Sequence, residues 1–587
     1  MGVPGFFLWL WKKYKKNNFV FNKQIEDEIL LNKINNIDYL LIDANCLIHP
    51  VCFQVLAENN SLTDKDKLEN KMIHAVLEYI DKLIQYTSPK KGIYLAIDGV
   101  APIAKIKQQR TRRFKSVHDK ILWNNIKKKH NKEIPNEWNN SAITPGTQFM
   151  EKLHYKILEW CQKKDFEVLY SSCKTPSEGE HKLLQFVRNN QKDNIHYSYI
   201  IYGLDADLIF LALSTNEPDM FLLRESEHLD KSSGEELNFV SIDIMRESII
   251  STLEDIMNNQ DLLTEGNIQE EDKVLKVIPE KVKDNIINDF IFICYLLGND
   301  FLPHIPSLNI YTNGIDILLN KYIEVVLTDN FKNFIIKRGK KISINNKIFL
   351  KLISYLGSEE EEVLKNSYLS KKRYYKCDST DPYNIEVHRI ENLYFKIDDP
   401  IELGSDESKL WKKRYYKYYF NIDDSEYNDY VNNIVNEYLI GLKWIAEYYF
   451  DKCPSWDWYY KYDYPPFLED IAEYLDKNKK FNFKSNFKLG SPLKPFNQLL
   501  LVLPPQSSFL LPKKLQKITS NPRSSVAYLY PTGFRQDFLN KKKYWMGQPI
   551  LPPLDIPLIK KTYYKYENSV DSKEKNRNKA LKVFEFK

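Results

Sequence analysis

Three short apolar runs in the first half of the chain each close on an aspartate: Tyr39-Leu-Leu-Ile-Asp43, Ile93-Tyr-Leu-Ala-Ile-Asp98 and Tyr199-Ile-Ile-Tyr-Gly-Leu-Asp205. Half-exposed strands would alternate apolar and polar residues. Unbroken runs of this length, set apart by long stretches with helical spacing, predict buried parallel strands of an α/β sheet flanked by helices. A further strand-like stretch, Phe166 to Tyr170, precedes Thr175-Pro-Ser-Glu178-Gly-Glu180, where a helix is predicted to begin. Ser177 suits the N-cap there and Glu180 follows three residues later, the spacing of a capping box. Residues 251–284 are polar and acidic, as an inserted surface loop or helix pair would be. Between 325 and 400 the periodicity fades and Lys, Asn, Ser and Asp dominate, whereas 405–555 is rich in Tyr, Trp and Pro and predicts a helix over Asn432 to Phe450. The pattern divides the chain into an α/β core (1–325), a connecting region (326–404), a mostly helical, aromatic-rich block packed against the core (405–555), and a charged tail expected to fray (556–587).

Composition narrows the picture less than pattern does. At 587 residues the chain exceeds what one core organises. The 84 Lys and Arg barely outnumber the 79 Asp and Glu, so charge must be read locally. Seven cysteines form no CxxC pair and no Cys/His ligand spacing, which speaks against a zinc site or a disulfide framework and for a reducing compartment. The apolar stretch Val3 to Trp11 is too short to span a bilayer and has no basic residue before it. A soluble cytoplasmic monomer without membrane association is expected, and a nuclear location would leave the same sequence.

In parallel sheets the carboxyl ends of the strands open onto the ligand crevice, so Asp43, Asp98 and Asp205 are expected to converge. A lone aspartate at such a place is most often an N-cap or turn residue. Three together, joined by Glu178 and Glu180, by Asp207, and by Asp300 just beyond Gly298, make a cluster of seven carboxylates that capping does not explain. So many like charges share a crevice only when cations neutralise them. Oxygen ligands without cysteine or a histidine cluster select Mg²⁺ or Mn²⁺. Two such ions, ~3.5–4 Å apart, activate water and stabilise the leaving oxygen in phosphodiester hydrolysis.

A basic stretch leaves this crevice directly after Asp98. Lys105, Gln109 and Arg112 recur at i, i+4 and i+7 on one helical face, with Arg113 beside them. Such a face is commonly solvated surface. Its origin within a few residues of the acids, and the match of arginine forks to phosphate oxygens, favour a pocket for a terminal 5′-phosphate.

The motifs MGVPGFFLWL, LLIDANCLIHP, AIDGVAPIAKIKQQRTRRF, ITPGTQFM, PSEGEHKLL, YGLDADLI, FLLRES and LLGNDFLPHIPSL occur in that order, and a second set spans Tyr438 to Phe450, Cys453 to Phe467, Pro495 to Pro505 and Tyr530 to Phe534. With these the chain resembles the Xrn family of 5′-to-3′ exoribonucleases over most of residues 1–555. The resemblance implies a PIN-like nuclease core, two catalytic Mg²⁺ (or Mn²⁺) ions on the seven acids, and Lys105, Gln109, Arg112 and Arg113 around a 5′-monophosphate. It also implies His49 stacking on the terminal base with a tryptophan of the second block, either Trp456 or Trp458. The expected activity is processive degradation of single-stranded RNA with a 5′-monophosphate to mononucleotides. Two departures stand out: the chain ends soon after the second block, without the long C-terminal extensions of the large cytoplasmic members, and the family's Pro-Tyr-His-Tyr-Ala-Pro-like stretch reads Lys461-Tyr-Asp463-Tyr-Pro465-Pro466. Alternative readings are a flap-type DNA nuclease, which would carry a Gly-rich helix-hairpin-helix after Asp300 where Phe-Leu-Pro-His-Ile-Pro-Ser stands, and a catalytically silent RNA-binding scaffold, which would not need all seven acids.

Overall fold

The computed structural model describes residues 5–134, 138–226, 236–264, 276–310, 313–370, 376–406, 409–422, 427–483 and 487–587. Its centre is an eight-stranded sheet. In chain order the first seven strands are β1 (Val20–Phe21), β2 (Tyr39–Asp43), β3 (Gly92–Ala96), β4 (Glu167–Ser171), β5 (Tyr199–Tyr202), β6 (Met220–Glu225) and β7 (Leu237–Ser241). They lie in the order β1-β7-β6-β5-β2-β3-β4, and the C-terminal strand Phe584–Phe586 closes the β4 edge. Strands β2 to β6 run parallel, and β7 and the C-terminal strand run against their neighbours. The continuous apolar runs are buried on both faces: in β2, Leu40 and Ile42 enter one core and Tyr39 and Leu41 the other.

The chain moves outward from β2 through β3 to β4 and then returns to lay β5 on the opposite flank of β2. The order reverses at β2, so the carboxyl ends of β5, β2 and β3 bound a cleft where no crossover helix covers the sheet. Register aligns these ends, since Ile42 pairs with Tyr202 of β5 and Asp43 with Ala96 of β3.

Elements of the later sequence wrap both cores. The helix Tyr427–Phe450 joins the first through Tyr438, Trp444 and Tyr449, and Pro495–Val502 joins the second through Phe496, Leu499 and Leu500. The stretch 326–404, expected as a connecting region, carries the helix Asn346–Leu369, whose Phe349, Leu352 and Ile353 are fully buried. Part of 251–284 falls outside the described residues; what precedes it continues the helix Ile242–Thr264.

Two expectations are corrected. The tail does not fray: a helix forms over Ile556–Glu567, the Arg577 guanidinium donates to the Gly146 carbonyl, and Phe584–Phe586 pairs with β4. An open β4 edge would leave backbone groups unpaired, and satisfying them outweighs the local charge. Nor does Ser177 cap the helix after β4. That helix spans Gly179–Lys192, Glu178 stands at its N-cap without a capping side-chain bond, and Ser177 has φ +99°. Ser177 is instead tied through its backbone to the loop after β3, with its N–H on the Val100 carbonyl and its carbonyl on the Gly99 N–H, both at 2.9 Å.

Candidate active site

Each strand around the reversal delivers acid to one place. Asp43 closes β2, Asp98 follows β3 by two residues, and Glu178 and Glu180 begin the helix after β4. Asp205 stands at the N-cap position of the helix Ala206–Leu213 after β5 without a capping side-chain bond, and Asp207 lies in the helix's first turn. Asp300 arrives from the turn after Gly298. Close packing is visible at Gly179. Its N–H donates to Asp98 Oδ1 at 2.6 Å, and a β-carbon placed there would stand 2.6 Å from Asp43 Oδ1 and 3.4 Å from Asp98 Oδ1. Only glycine lets the helix start against both aspartates, which accounts for its delayed beginning.

Asp43, Glu178, Glu180 and Asp207 are buried. Burial and the neighbouring charges of Asp98 and Asp205 hold the Asp43 carboxyl well above its ordinary value. Burial likewise raises Glu178 and Glu180, and burial together with Asp300 pushes Asp207 up to about 7. Asp300 goes the other way. Burial raises it too, but Lys105 outweighs burial and holds the carboxyl at about 2. The Lys105 ammonium lies 2.5 Å from Glu178 Oε2 and 2.7 Å from Asp300 Oδ2. The one ammonium thus pairs with two of the acids from the basic helix.

Among the described residues no three His, Cys, Asp or Glu side chains stand close enough together to cage an ion. The donor chemistry nevertheless fits hard divalent cations. Glu180 Oε2 and both Asp207 oxygens are buried without a hydrogen-bond partner, and burial of an unpaired carboxylate oxygen is costly unless a proton or cation compensates it. The set is all oxygen, which selects Mg²⁺ or Mn²⁺ over softer metals.

The basic helix Ile103–Lys129 runs past these acids. Gln109 is buried and accepts from Gln498 Nε2 at 3.3 Å, while Gln498 Oε1 accepts from the Ala101 N–H at 3.2 Å. The Arg113 guanidinium donates to Thr144 Oγ1 at 2.6 Å; burial and Arg112 lower its pKa to about 9, which leaves it charged at neutral pH. Arg112 is exposed. His49, half-buried on the helix Ala44–Glu58, has its imidazole driven down to about 4 by burial, Arg112 and Arg113, so it is neutral and close to both cations.

The two tryptophans occupy different surroundings. Trp458 stacks on Trp444 at 5.2 Å and 26°, and Trp444 stacks on Tyr448 at 4.6 Å and 23°. That column ends on the acids, because the Tyr448 hydroxyl donates to Glu178 Oε1 at 2.7 Å. Trp456 has no ring partner among the described residues, and its carbonyl accepts from the Ile103 N–H at 2.9 Å, which fastens its loop to the start of the basic helix.

The departing stretch before Pro465 docks on the same helix. Lys107 donates to the Tyr460 and Tyr462 carbonyls and pairs with Asp463 at 2.9 Å. Four participants escaped the sequence reading: Tyr448, Gln498, the buried Lys182 that donates to the Ile97 and Ser172 carbonyls behind Asp98, and the buried Arg224 that donates to the Leu204 carbonyl beside Asp205. Tyr448 and Gln498 meet partners 270 and 389 residues away, and no local pattern carries that information.

The family model described as the XRN 5′-3′ exonuclease N-terminus matches residues 1–226, and the Xrn1 helical domain matches residues 280–392 and 376–584. The 5′-3′ exoribonuclease 2 of Candida albicans is 28% identical, with 100% of this chain and 74% of that protein covered. A Drosophila melanogaster 5′-3′ exoribonuclease 2 homolog is 27% identical, covering 99% of this chain and 72% of its own length. The human 5′-3′ exoribonuclease 1 is 28% identical over 98% of this chain and 35% of its own.

Proposed function

This chain belongs to the Xrn family of 5′-3′ exonucleases, and we propose from that premise that it hydrolyses single-stranded RNA stepwise from a 5′-monophosphate end, releasing mononucleotides. The observation that carries the reading is Lys105, whose ammonium joins the basic helix to Glu178 and Asp300 and so holds the cationic face, to which we assign the phosphate, against the acids. With the end phosphate on that helix, the next phosphodiester falls on the carboxylates, one nucleotide away.

We assign Asp43, Asp98, Glu178, Glu180, Asp205, Asp207 and Asp300 to two Mg²⁺ ions, which when bound supply an activated water and stabilise the leaving oxygen. Tyr448 and Gly179 orient Glu178 and Asp98 by donating to them. Arg112 and Arg113 bind the terminal phosphate, and Gln109, held by Gln498, donates its amide. With a cation held by Glu178 and Asp300, the Lys105 ammonium would be free to turn to the same phosphate. Neutral His49 stacks on the first base. Trp456 is the better opposing ring, because Trp444 already covers Trp458. Such stacking accepts any base, since every base offers a π-face.

The test is degradation of one RNA sequence bearing 5′-monophosphate, 5′-triphosphate or 5′-hydroxyl ends, with Mg²⁺ or EDTA, beside the same sequence as DNA. Mononucleotides from the monophosphate RNA with Mg²⁺ alone are expected. Equal rates on the three RNA ends would remove the end pocket, and preference for DNA would remove the substrate assignment.

A further inference from the structure

Beyond the acids the structure holds a cavity of about 1200 Å³, larger than the roughly 300–1,000 Å³ of ordinary small-ligand sites. It meets the candidate active site on one side only. Asp300, Gln108 and Arg112 line it; the other six acids, His49 and Trp456 do not. From there it follows the basic helix past Lys115, Lys120 and Trp123, under a wall that includes Tyr419, Tyr464 and Lys541.

Its lining matches a nucleotide. Tyr419 and Tyr464 stack on each other at 3.5 Å and 20°, and their hydroxyls are both taken by Asp537, at 2.9 and 2.7 Å, so their rings present apolar surface while that carboxylate is occupied. Asp119 is similarly engaged by Lys115 at 2.8 Å. Together with Arg112, Lys120 and Lys541 the surroundings favour a phosphate, and aromatic faces suit a base of any identity.

We propose that this cavity receives the nucleoside 5′-monophosphate freed by each cleavage and leads it out past Asp300 and Arg112, while the strand enters past His49 and Trp456. The inference rests on the nuclease reading above. A strand that stays bound between cuts occupies its own entrance, so a product that had to leave by that route would force the strand to let go. A second opening on the end-phosphate side removes the conflict, and this is the side on which the cavity lies.

The test uses the full chain carrying Asp207→Ala, loaded with 5′-monophosphorylated RNA in Mg²⁺, and measures binding of labelled AMP by equilibrium dialysis. RNA-loaded protein is expected to bind AMP, and Lys120→Glu and Lys541→Glu to weaken it by roughly tenfold each. In the otherwise unaltered chain, Thr111→Trp places an indole in the cavity from a half-exposed helical position. It is expected to slow mononucleotide release from long RNA by about tenfold or more, a barrier increase of one decade, while the first cleavage in a single turnover keeps its rate. If bound RNA excludes AMP, or if Thr111→Trp releases product at the unaltered rate, the exit route is overturned and the nuclease reading stands. If the unaltered chain degrades no monophosphorylated RNA, the nuclease reading falls and takes the exit route with it.

Discussion

Replacing Lys105 by methionine separates its two roles, because the same ammonium holds Glu178 and Asp300 together and is assigned to the substrate phosphate. Its side chain is 12% exposed and those of both acids 6%, so solvent screens the contacts little. Methionine keeps most of the volume and removes the charge. Breaking a buried pair by deleting one partner costs about 3–5 kcal/mol, since it strands uncompensated charge. The loss depends on pH through Asp300. Its folded value of about 2 lies below the usual 3.8, so the stabilisation Lys105 confers on it is full above about pH 4 and fades as pH falls toward 2. At pH 7 in EDTA, Lys105→Met is expected to unfold earlier by about 2–4 °C, taking roughly 0.8 °C per kcal/mol from an unfolding entropy of about 2.1 cal/mol/K per residue over 587 residues. Mg²⁺ at about a hundred times its dissociation constant should recover about 2.7 kcal/mol, because cations then neutralise the same carboxylates. Differential scanning fluorimetry with EDTA and with Mg²⁺, on the unaltered chain and the variant, reads both effects. Identical melting of the two proteins in EDTA, or a smaller Mg²⁺ shift in the variant than in the parent, would refute the claim that Lys105 and the metals satisfy one set of acids.

The raised values of Asp43, Glu180 and Asp207 mean that Mg²⁺ held by these acids would expel protons, so its affinity should rise with pH through about 7, where Asp207 titrates; calorimetry in two buffers of different ionisation heat checks this, and a pH-independent affinity contradicts it. Asp207→Ala should abolish hydrolysis while leaving RNA binding in filter assays largely intact, and turnover by a rigorously purified variant would exclude it from the metal set. Arg112→Ala should lose a charge-assisted contact of about 1.5–3 kcal/mol and with it most of the preference for monophosphate over hydroxyl ends, read as a ratio of kcat/KM values. Trp456→Ala, but not Trp458→Ala, should convert processive decay into distributive cleavage on 3′-labelled RNA under competitor, stacking being worth ~1–3 kcal/mol per base; the opposite ranking would move the role to Trp458.

The elements that determine the centre of this fold were legible in order. Apolar runs buried on both faces carry their own signature, so β2, β3 and β5 and the aspartates beyond them follow from pattern alone, and spacing alone places Lys105, Gln109 and Arg112 on one helical face. Local pattern failed where a distant partner set the outcome. A capping box at Ser177 was a sound local choice, yet the helix waits for Gly179 because Asp43 and Asp98 leave room for nothing larger. The charged C-terminus pairs with β4 because an open sheet edge needs a partner, a demand that arises only once the sheet exists. Spacing placed Lys105 on the basic face, and its pairing with Glu178 and Asp300 is a contact that only tertiary packing supplies. The proposal that Trp456 rather than Trp458 stacks on the base rests on Trp444, which covers one indole and leaves the other without a ring partner among the described residues, a difference no local pattern carries. Periodicity and residue type determine which side chains face inward and which chemistry they can offer; which of them meet depends on contacts hundreds of residues apart, and those form only when the sheet order and the wrapping of the later helices bring them together.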